Sequence, residues 1–294
     1  MQVEATPRQH AASLFDRIPA PGLVLTGIAT VQIGAASATK LFDDLGPAGT
    51  VLLRVAFAAV ILLAISRPKW RAYSARELRL AALFGLTLAF MNLSFYEALN
   101  HIHLGIAVTI EFLGPLAVVL AGTRSKLDLL WAVLAAAGVA LLGGLSGANA
   151  TGVFFALIAA ACWATYILVN TRVGRVFPGG DGLAIAMTIG VIPLIPFGIA
   201  DAGSNLLVPR LLAVGLAVAV LSSVIPYTLE VEALRRLKPS VFGVLMSLEP
   251  AVAALAGFIL LSQDLSALDV VAMALVITAS IGATRHSSGP EPVD

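Results

Sequence analysis

The chain has 294 residues, of which 59% are apolar and 12% are charged, and its formal net charge is +1. Soluble domains are about 45–50% apolar and about 25% charged, so a soluble core cannot absorb this apolar excess. The balanced charge argues against a nucleic-acid partner, because nucleic-acid-binding proteins carry a concentrated basic face. We therefore expect an integral membrane protein whose function resides within the lipid bilayer.

Apolar stretches separated by charged residues, glycine or proline recur along the whole chain. About 20 mostly apolar helical residues cross a hydrocarbon layer about 30 Å thick, and helices satisfy their own backbone groups in lipid. The sequence therefore predicts an all-α integral membrane protein of ten transmembrane helices. Their predicted ranges are 20–39, 47–66, 79–97, 104–122, 128–145, 152–171, 182–200, 209–233, 239–261 and 267–284.

The placement of basic residues predicts the orientation of these helices. Lys and Arg beside short loops stay on the cytoplasmic side of a membrane, and 15 of the 18 basic residues lie at alternate loops and chain ends. The opposite loops hold only Lys40 and Arg210. Both termini are thus expected in the cytoplasm. The 15 residues are Arg8, Arg17, Arg67, Lys69, Arg71, Arg76, Arg79, Arg124, Lys126, Arg172, Arg175, Arg235, Arg236, Lys238 and Arg285.

An internal repeat relates the two halves of the chain. Residues 97–122 align without a gap on residues 232–257 at a constant offset of 135, which pairs Pro115 with Pro250. The match joins the third and fourth predicted helices to the eighth and ninth. Because each half has five helices, an odd number, the halves must be inverted in the membrane. Inverted repeats occur in secondary transporters, whose substrate site lies between the repeats near the midplane.

The repeat predicts the organisation of the chain. The N-terminal part lacks the basic start, apolar run and cleavage site of a signal peptide, and we expect it to be a cytoplasmic tail. The predicted parts are a tail at 1–19, a first five-helix repeat at 20–145, a linker at 146–151, a second five-helix repeat at 152–284 and a cytoplasmic tail at 285–294.

Three ionisable residues lie well inside predicted helices: Arg54, Glu111 and Glu249. Because such a group costs at least roughly 2.5–3.5 kcal/mol at the centre of a membrane helix, each is a candidate functional residue. Arg54 could form an ion pair with Glu111, or could hold a substrate carboxylate through two parallel hydrogen bonds. The two glutamates are candidates for proton coupling, with structural hydrogen bonding as the alternative.

Three prolines inside predicted helices are candidates for helix breaks: Pro115, Pro226 and Pro250. Each proline removes one hydrogen bond from its helix. For Pro250 this predicts a freed carbonyl near Met246, beside the Glu249 carboxyl group. We therefore expect local breaks in these helices close to the buried carboxyl groups.

Amide and aromatic side chains form a second set of candidates. Such side chains commonly bridge membrane helices, so bridging is the stronger expectation and substrate contact is the alternative. Glu230 and Glu232 lie close to Arg235 and Arg236, which favours a gate or a structural ion pair there. The candidates of this second set are Gln32, Asn92, Tyr96, Trp163, Tyr166 and Tyr227.

The inventory of reactive groups argues against an enzyme. The four histidines lie in predicted loops or tails and Cys162 is the only cysteine, so the membrane helices cannot build a His-rich or Cys-rich metal cluster. The sequence contains no Gly-rich phosphate-binding loop. We expect no cofactor and no metal, and an ion or substrate gradient as the source of energy.

Five runs of the sequence, among them Leu-Met-Ser-Leu-Glu-Pro at 245–250, resemble the drug/metabolite transporter superfamily, and within it the EamA-type threonine and homoserine exporters. The likeness extends over residues 20–284, and its most specific piece is Leu-Met-Ser-Leu-Glu-Pro at 245–250. The chain departs from the family at 262–264, where Ser-Gln-Asp replaces the common Gly-Glu. The runs are 105–108, 111–118, 161–168, 221–230 and 242–251.

The resemblance implies a proton-coupled export carrier of the bacterial inner membrane, with ten helices, a central cavity and a small amino acid as its substrate. Export of another metabolite or of a drug-like compound stays open. So does a non-transporting membrane sensor or scaffold.

Overall fold

The computed structural model describes residues 18–121, 126–144, 149–178 and 180–286. Every regular element within these ranges is helical. Two short 3-10 helices, Trp70–Ala72 and Gly203–Leu207, and one π-helical turn, Val220–Val224, accompany the α-helices. The α-helices are α1 (Ala20–Thr39), α2 (Phe42–Ser66), α3 (Ala75–Leu99), α4 (Leu104–Glu111), α5 (Leu113–Ala121), α6 (Lys126–Gly144), α7 (Ala150–Val176), α8 (Asp181–Ala202), α9 (Pro209–Ala219), α10 (Ile225–Arg236), α11 (Pro239–Met246), α12 (Glu249–Leu261) and α13 (Ala267–His286).

Within the described ranges, nine helical stretches are long and apolar enough to cross a membrane. The chain is thus a multi-pass membrane protein, as the sequence predicts. The fifth predicted span, 128–145, coincides with α6, whose apolar stretch Leu129–Leu142 is shorter than the other nine. The count of ten stays a prediction. The nine stretches are Ala20–Thr39, Phe42–Ser66, Ala75–Leu99, Leu104–Ala121, Ala150–Val176, Asp181–Leu207, Pro209–Glu230, Val241–Leu261 and Ala267–Arg285.

Some predicted parts lie outside the described residues. These are nearly all of the two tails, predicted at 1–19 and 285–294, and the first half of the predicted linker, 146–151.

The fourth and ninth predicted helices are each interrupted near their proline. The first break separates α4 from α5 at Phe112, and the second separates α11 from α12 at residues 247–248. Both α4 and α11 have 8 residues, and the offset of 135 carries the bounds of α4 onto those of α11. Pro115 and Pro250 cannot donate to the carbonyls four residues earlier. The end of α11 at Met246 agrees with the break expected there.

Helices of the first half, α1 to α6, pack on helices of the second half, α7 to α13. Contacts join α2 to α8, α3 to both α7 and α8, α4 to α12, α6 to α13, and α1 to both α10 and α12. Small residues allow the closest approaches: a Cβ added to Gly85 would lie 2.2 Å from the Ala186 carbonyl oxygen, and one added to Gly114 would lie 2.2 Å from that of Ala160. Close van der Waals packing of this kind stabilises helix pairs in lipid. The helices surround a central cavity.

Candidate functional site

The central cavity has a volume of about 620 Å³. Its wall takes residues from both halves of the chain, and it brings together nine of the residues that the sequence singles out as candidates. Such a volume lies within the usual range for a small-molecule site. The nine are Gln32, Arg54, Asn92, Glu111, Pro115, Trp163, Tyr166, Pro226 and Glu249.

Arg54 lies on the cavity wall in α2. Its Nη1 donates a hydrogen bond to the Tyr96 hydroxyl at 3.1 Å, and its Nη2 donates to the Ser222 carbonyl at 3.3 Å. The guanidinium carbon also lies 5.4 Å from the centre of the Tyr96 ring, within the range of a cation–π interaction. Pro226 has no N–H to offer the Ser222 carbonyl four residues earlier, so this carbonyl can accept from the arginine.

The ion pair considered between Arg54 and Glu111 is absent from the described residues, where no carboxylate oxygen lies within 4.0 Å of the Arg54 guanidinium nitrogens. Equal depth in the membrane does not bring the two side chains into contact, because the guanidinium points to Tyr96 and Ser222. Arg54 is therefore a cation on the cavity wall without a directly bonded anion among these residues.

Tyr96 supports Arg54 from behind the cavity wall. It is fully buried, with 0% of its surface exposed, and its ring centre lies 5.9 Å from that of Phe42. Tyr96 is not among the residues that line the cavity. Tyr96 belongs to α3 and accepts from Arg54 of α2, which is the interhelical bridging that the sequence favours.

Glu249 and Gln32 form the second polar pair of the wall. The Gln32 Nε2 donates a hydrogen bond to the Glu249 Oε1 at 3.0 Å. Gln32 is 1% exposed and Glu249 is 8% exposed. The Glu249 Oε2 and the Gln32 Oε1 are buried without a hydrogen-bond partner in the described part of the chain. A buried polar atom left unsatisfied costs about 1–3 kcal/mol, so this pair carries unused bonding capacity beside the cavity.

Glu111, the last residue of α4, faces the same cavity. Only 8% of its surface is exposed. Arg54 and Glu249 line the same cavity. The three ionisable candidates therefore share one compartment.

Aromatic side chains and the amide of Asn92 form another part of the wall. Trp163 meets Phe112 edge to face, with ring centres 5.5 Å apart. Tyr166 stacks on Phe84 at 5.3 Å. Asn92 donates from its Nδ2 to the Leu88 carbonyl of its own helix at 2.7 Å.

The two remaining candidates are Pro250 and Tyr227. Pro250 is buried in α12 and is not among the cavity-lining residues. The Tyr227 side chain lies outside what the structure describes.

Glu230 lines the cavity, and its role as a gate or in a structural ion pair stays a prediction. Its neighbour Glu232 does form an ion pair, accepting from the Arg236 Nε at 2.8 Å. A signal for Glu230 was present in the sequence: Ser222, Pro226 and Glu230 are spaced by four residues and so share one helix face. Ser280 and Thr284, which also line the cavity, show the same spacing.

The cavity extends toward one end of the bundle. Val119, Phe242 and Thr284 line it close to the ends of α5, α11 and α13 that adjoin the basic loops. At the other end, helix termini are tied together. The Gln263 Oε1 accepts from the Leu104 backbone N–H at 3.0 Å, and the Asp201 carboxylate accepts from that of Ala48 at 3.0 Å.

Membrane-crossing helices with paired interruptions around a charged cavity are the architecture of a membrane transporter. Residues 150–285 match the model of the EamA-like transporter family. The threonine/homoserine exporters RhtA of Salmonella typhimurium LT2 and Escherichia coli K12 are each 42% identical to this chain over 267 residues, covering 89% of this chain and 90% of each relative. The chain therefore belongs to the EamA-like family of the drug/metabolite transporter superfamily, and is a transporter and not an enzyme.

A solved crystal structure of a protein 19% identical to this chain has the same fold. It superposes with a TM-score of 0.60 and covers 90% of this chain and 97% of its own. This likeness supports the helix arrangement alone.

Proposed function

We propose that this protein exports a small amino acid of the threonine or homoserine type across the bacterial inner membrane by proton antiport. The observation that carries the proposal is the placement of Arg54, Glu111 and Glu249 on one cavity within the membrane-crossing bundle. The names of the relatives that share 42% of its sequence support the substrate class.

Arg54 is the proposed binding residue for the substrate carboxylate. A guanidinium has five N–H donors in a planar fork, and the contacts to Tyr96 and Ser222 occupy only one donor on each of its two terminal nitrogens. Those contacts fix the plane of the fork while leaving donors for an anion. A bound carboxylate then supplies the counter-charge that the described residues do not place against Arg54.

Glu249 and Glu111 are the proposed coupling residues. Proton uptake neutralises a buried carboxyl group and proton release recharges it, and both side chains face the compartment that holds Arg54. Substrate binding at Arg54 changes the charge that surrounds Glu111. This electrostatic contact links the two binding events without requiring a direct bond between them.

The proposed architecture has ten transmembrane helices in two inverted repeats, 20–145 and 152–284, with both termini in the cytoplasm. Helix contacts support it, since exchanging corresponding helices of the two halves maps the α2–α8 and α6–α13 contacts onto themselves. The same exchange maps the α1–α10 contact onto α3–α7. The matching bounds of α4 and α11 give independent support.

The proposed orientation makes this the inward-facing state. The cavity extends toward the helix ends beside the basic loops, which is the cytoplasmic side by the positive-inside rule. An exporter loads its substrate from that side. The ties at Leu104 and Ala48 then belong to the closed outer end.

Counterflow in proteoliposomes tests the substrate class. Vesicles loaded with unlabelled threonine should accumulate labelled threonine and homoserine without any imposed gradient. Empty liposomes and an Arg54→Ala variant serve as controls. If only compounds that are not amino acids accumulate, the alternative of a metabolite or drug exporter is favoured. If no compound is exchanged, a sensor or scaffold is favoured.

A further inference from the structure

A second groove lies between α3 and α7, at the end of the bundle where α3 begins and α7 ends. It is an open groove with a volume of about 500 Å³, lined by Arg76, Glu77, Leu80, Arg172, Arg175 and Val176. No residue of the central cavity contributes to it. Three arginines thus share one groove, and all three side chains are exposed.

Among the described residues, the positive charge of this groove is only partly offset. Glu77 is its only acidic lining residue, and its carboxylate caps α3 by accepting from the Ser74 backbone N–H at 2.6 Å. Within the described ranges, Arg76, Arg172 and Arg175 form no ion pair. The groove therefore presents free guanidinium groups to an anion.

Apolar side chains continue from the arginines along the membrane-facing surface of both helices. Leu80 and Val176 belong to the groove itself. One or two turns further into the membrane, Leu83 is 49% exposed on α3 and Leu168 is 57% exposed on α7. Leu83 follows Arg76 by seven residues and Leu168 precedes Arg172 by four, so each shares a helix face with its arginine.

We propose that this groove binds an anionic phospholipid, with the phosphate of the head group among Arg76, Arg172 and Arg175 and an acyl chain against Leu83 and Leu168. Guanidinium groups bind phosphate through paired, charge-assisted hydrogen bonds. Basic pockets between membrane helices on the cytoplasmic side are suited to anionic head groups. On the proposed orientation the lipid comes from the cytoplasmic leaflet, and it joins the first half of the chain to the second.

Native mass spectrometry of the purified full-length chain tests the site. The protein is exchanged into detergent with equal amounts of phosphatidylglycerol and phosphatidylcholine of the same acyl chains, and the lipids that stay bound are counted. The parent should retain phosphatidylglycerol selectively. Arg172→Gln/Arg175→Gln should reduce that retention by about twentyfold to thirtyfold, because each basic residue near an anionic lipid contributes roughly a fivefold preference.

Lys69→Gln/Arg71→Gln is the matched control. It removes the same charge from exposed residues at the same end of the bundle, outside the groove, and it should retain phosphatidylglycerol like the parent. Equal losses from the two double variants, or no preference for phosphatidylglycerol in the parent, would overturn the proposal. So would complete displacement of the lipid by millimolar inorganic phosphate, since that result indicates a site for free anions.

Discussion

Gln32 in α1 donates a hydrogen bond to Glu249 in α12 across 3.0 Å, and so joins the two halves of the chain at the cavity wall. At the offset of 135, the counterpart of Glu249 is Gly114, which packs tightly on the Ala160 backbone. At this position of the aligned halves, only the second carries a carboxyl group.

A double-mutant cycle measures the bond between Gln32 and Glu249. Gln32→Met keeps the length of the side chain and removes its donor, and Glu249→Met removes the acceptor at a similar size. Interhelical hydrogen bonds in membranes average about 0.6 kcal/mol and reach about 1.7 kcal/mol, so we expect a coupling of about 1 kcal/mol in the free energy of unfolding. Unfolding in detergent by a denaturant gives this value. If the effects of the two single substitutions add up to that of the double variant within about 0.3 kcal/mol, the contact does not stabilise the protein.

Arg54→Lys tests the proposed carboxylate contact. It keeps the positive charge, but an ammonium cannot provide a planar pair of donors, so substrate binding should weaken by about tenfold or more. Titration of the counterflow signal with threonine gives the half-saturating concentration. Arg210→Lys is the control, because Arg210 pairs with Asp44 in an exposed position at 3.1 Å and should behave like the parent. Unchanged half-saturation in Arg54→Lys would favour a purely structural charge.

Much of this arrangement can be predicted from the sequence. Apolar length gives the helices, and the cost of burying charge selects Arg54, Glu111 and Glu249, all of which reach the cavity. The proline positions predict where α4 and α11 end. These features depend on short stretches of chain and on the energetics of a membrane.

The partners of these residues could not be predicted in the same way. Depth along a helix places Arg54 near Glu111, but the π-helical turn Val220–Val224 and the rotation of α3 decide that Arg54 contacts Ser222 and Tyr96. The arginines that follow Glu230 in the sequence do not indicate that it lines the cavity. Its placement depends on packing between distant helices.

Tyr73 connects two loops at the end of the bundle that holds the basic residues. Its hydroxyl donates to the Asp181 Oδ2 at 2.6 Å, and this hydrogen bond, together with burial, raises the pKa of Tyr73 to about 12. The folded pKa lies above the unfolded value of about 10. The stabilisation is therefore complete below pH 10 and is lost as the pH rises from about 10 to about 12.

Tyr73→Phe should remove this part of the alkaline destabilisation while keeping the ring contact with Phe177, whose centre lies 4.8 Å away. Thermal unfolding between pH 9 and pH 12 measures the effect, and a difference titration of tyrosine absorbance between the two proteins gives the pKa directly. If the unfolding temperatures of the parent and of the variant fall equally above pH 10, the contact with Asp181 does not have this role.

Single cysteines test the proposed orientation. In a Cys162→Ala background, Ser204→Cys should react with an impermeant thiol reagent added outside intact cells, whereas Ser74→Cys should react only after the membrane is opened. Both serines are exposed. Ser146→Cys, which lies outside the described residues, should behave like Ser204→Cys. Labelling of Ser74→Cys from outside would reverse the topology and remove the argument for inverted repeats.

The last prediction concerns proton coupling through Glu249. Glu249→Gln keeps the size of the side chain and its hydrogen bonding but removes its titration. If Glu249 carries the proton, the variant should lose substrate transport driven by a pH gradient while passive counterflow survives. A purely structural Glu249 instead predicts less protein in the membrane with unchanged gradient-driven transport per molecule.

Uptake into inside-out vesicles, with and without an imposed pH gradient and normalised to the amount of protein, separates these outcomes. Glu111→Gln, which changes the same chemical group on the same cavity, is measured beside it and shows whether coupling depends on one carboxyl group or on both. The partner of Glu249 makes this substitution informative: Gln32 can still bond to an amide at 3.0 Å, so lost coupling cannot be attributed to a lost contact. Equal stimulation by the gradient in the parent and in Glu249→Gln would transfer the coupling role to Glu111.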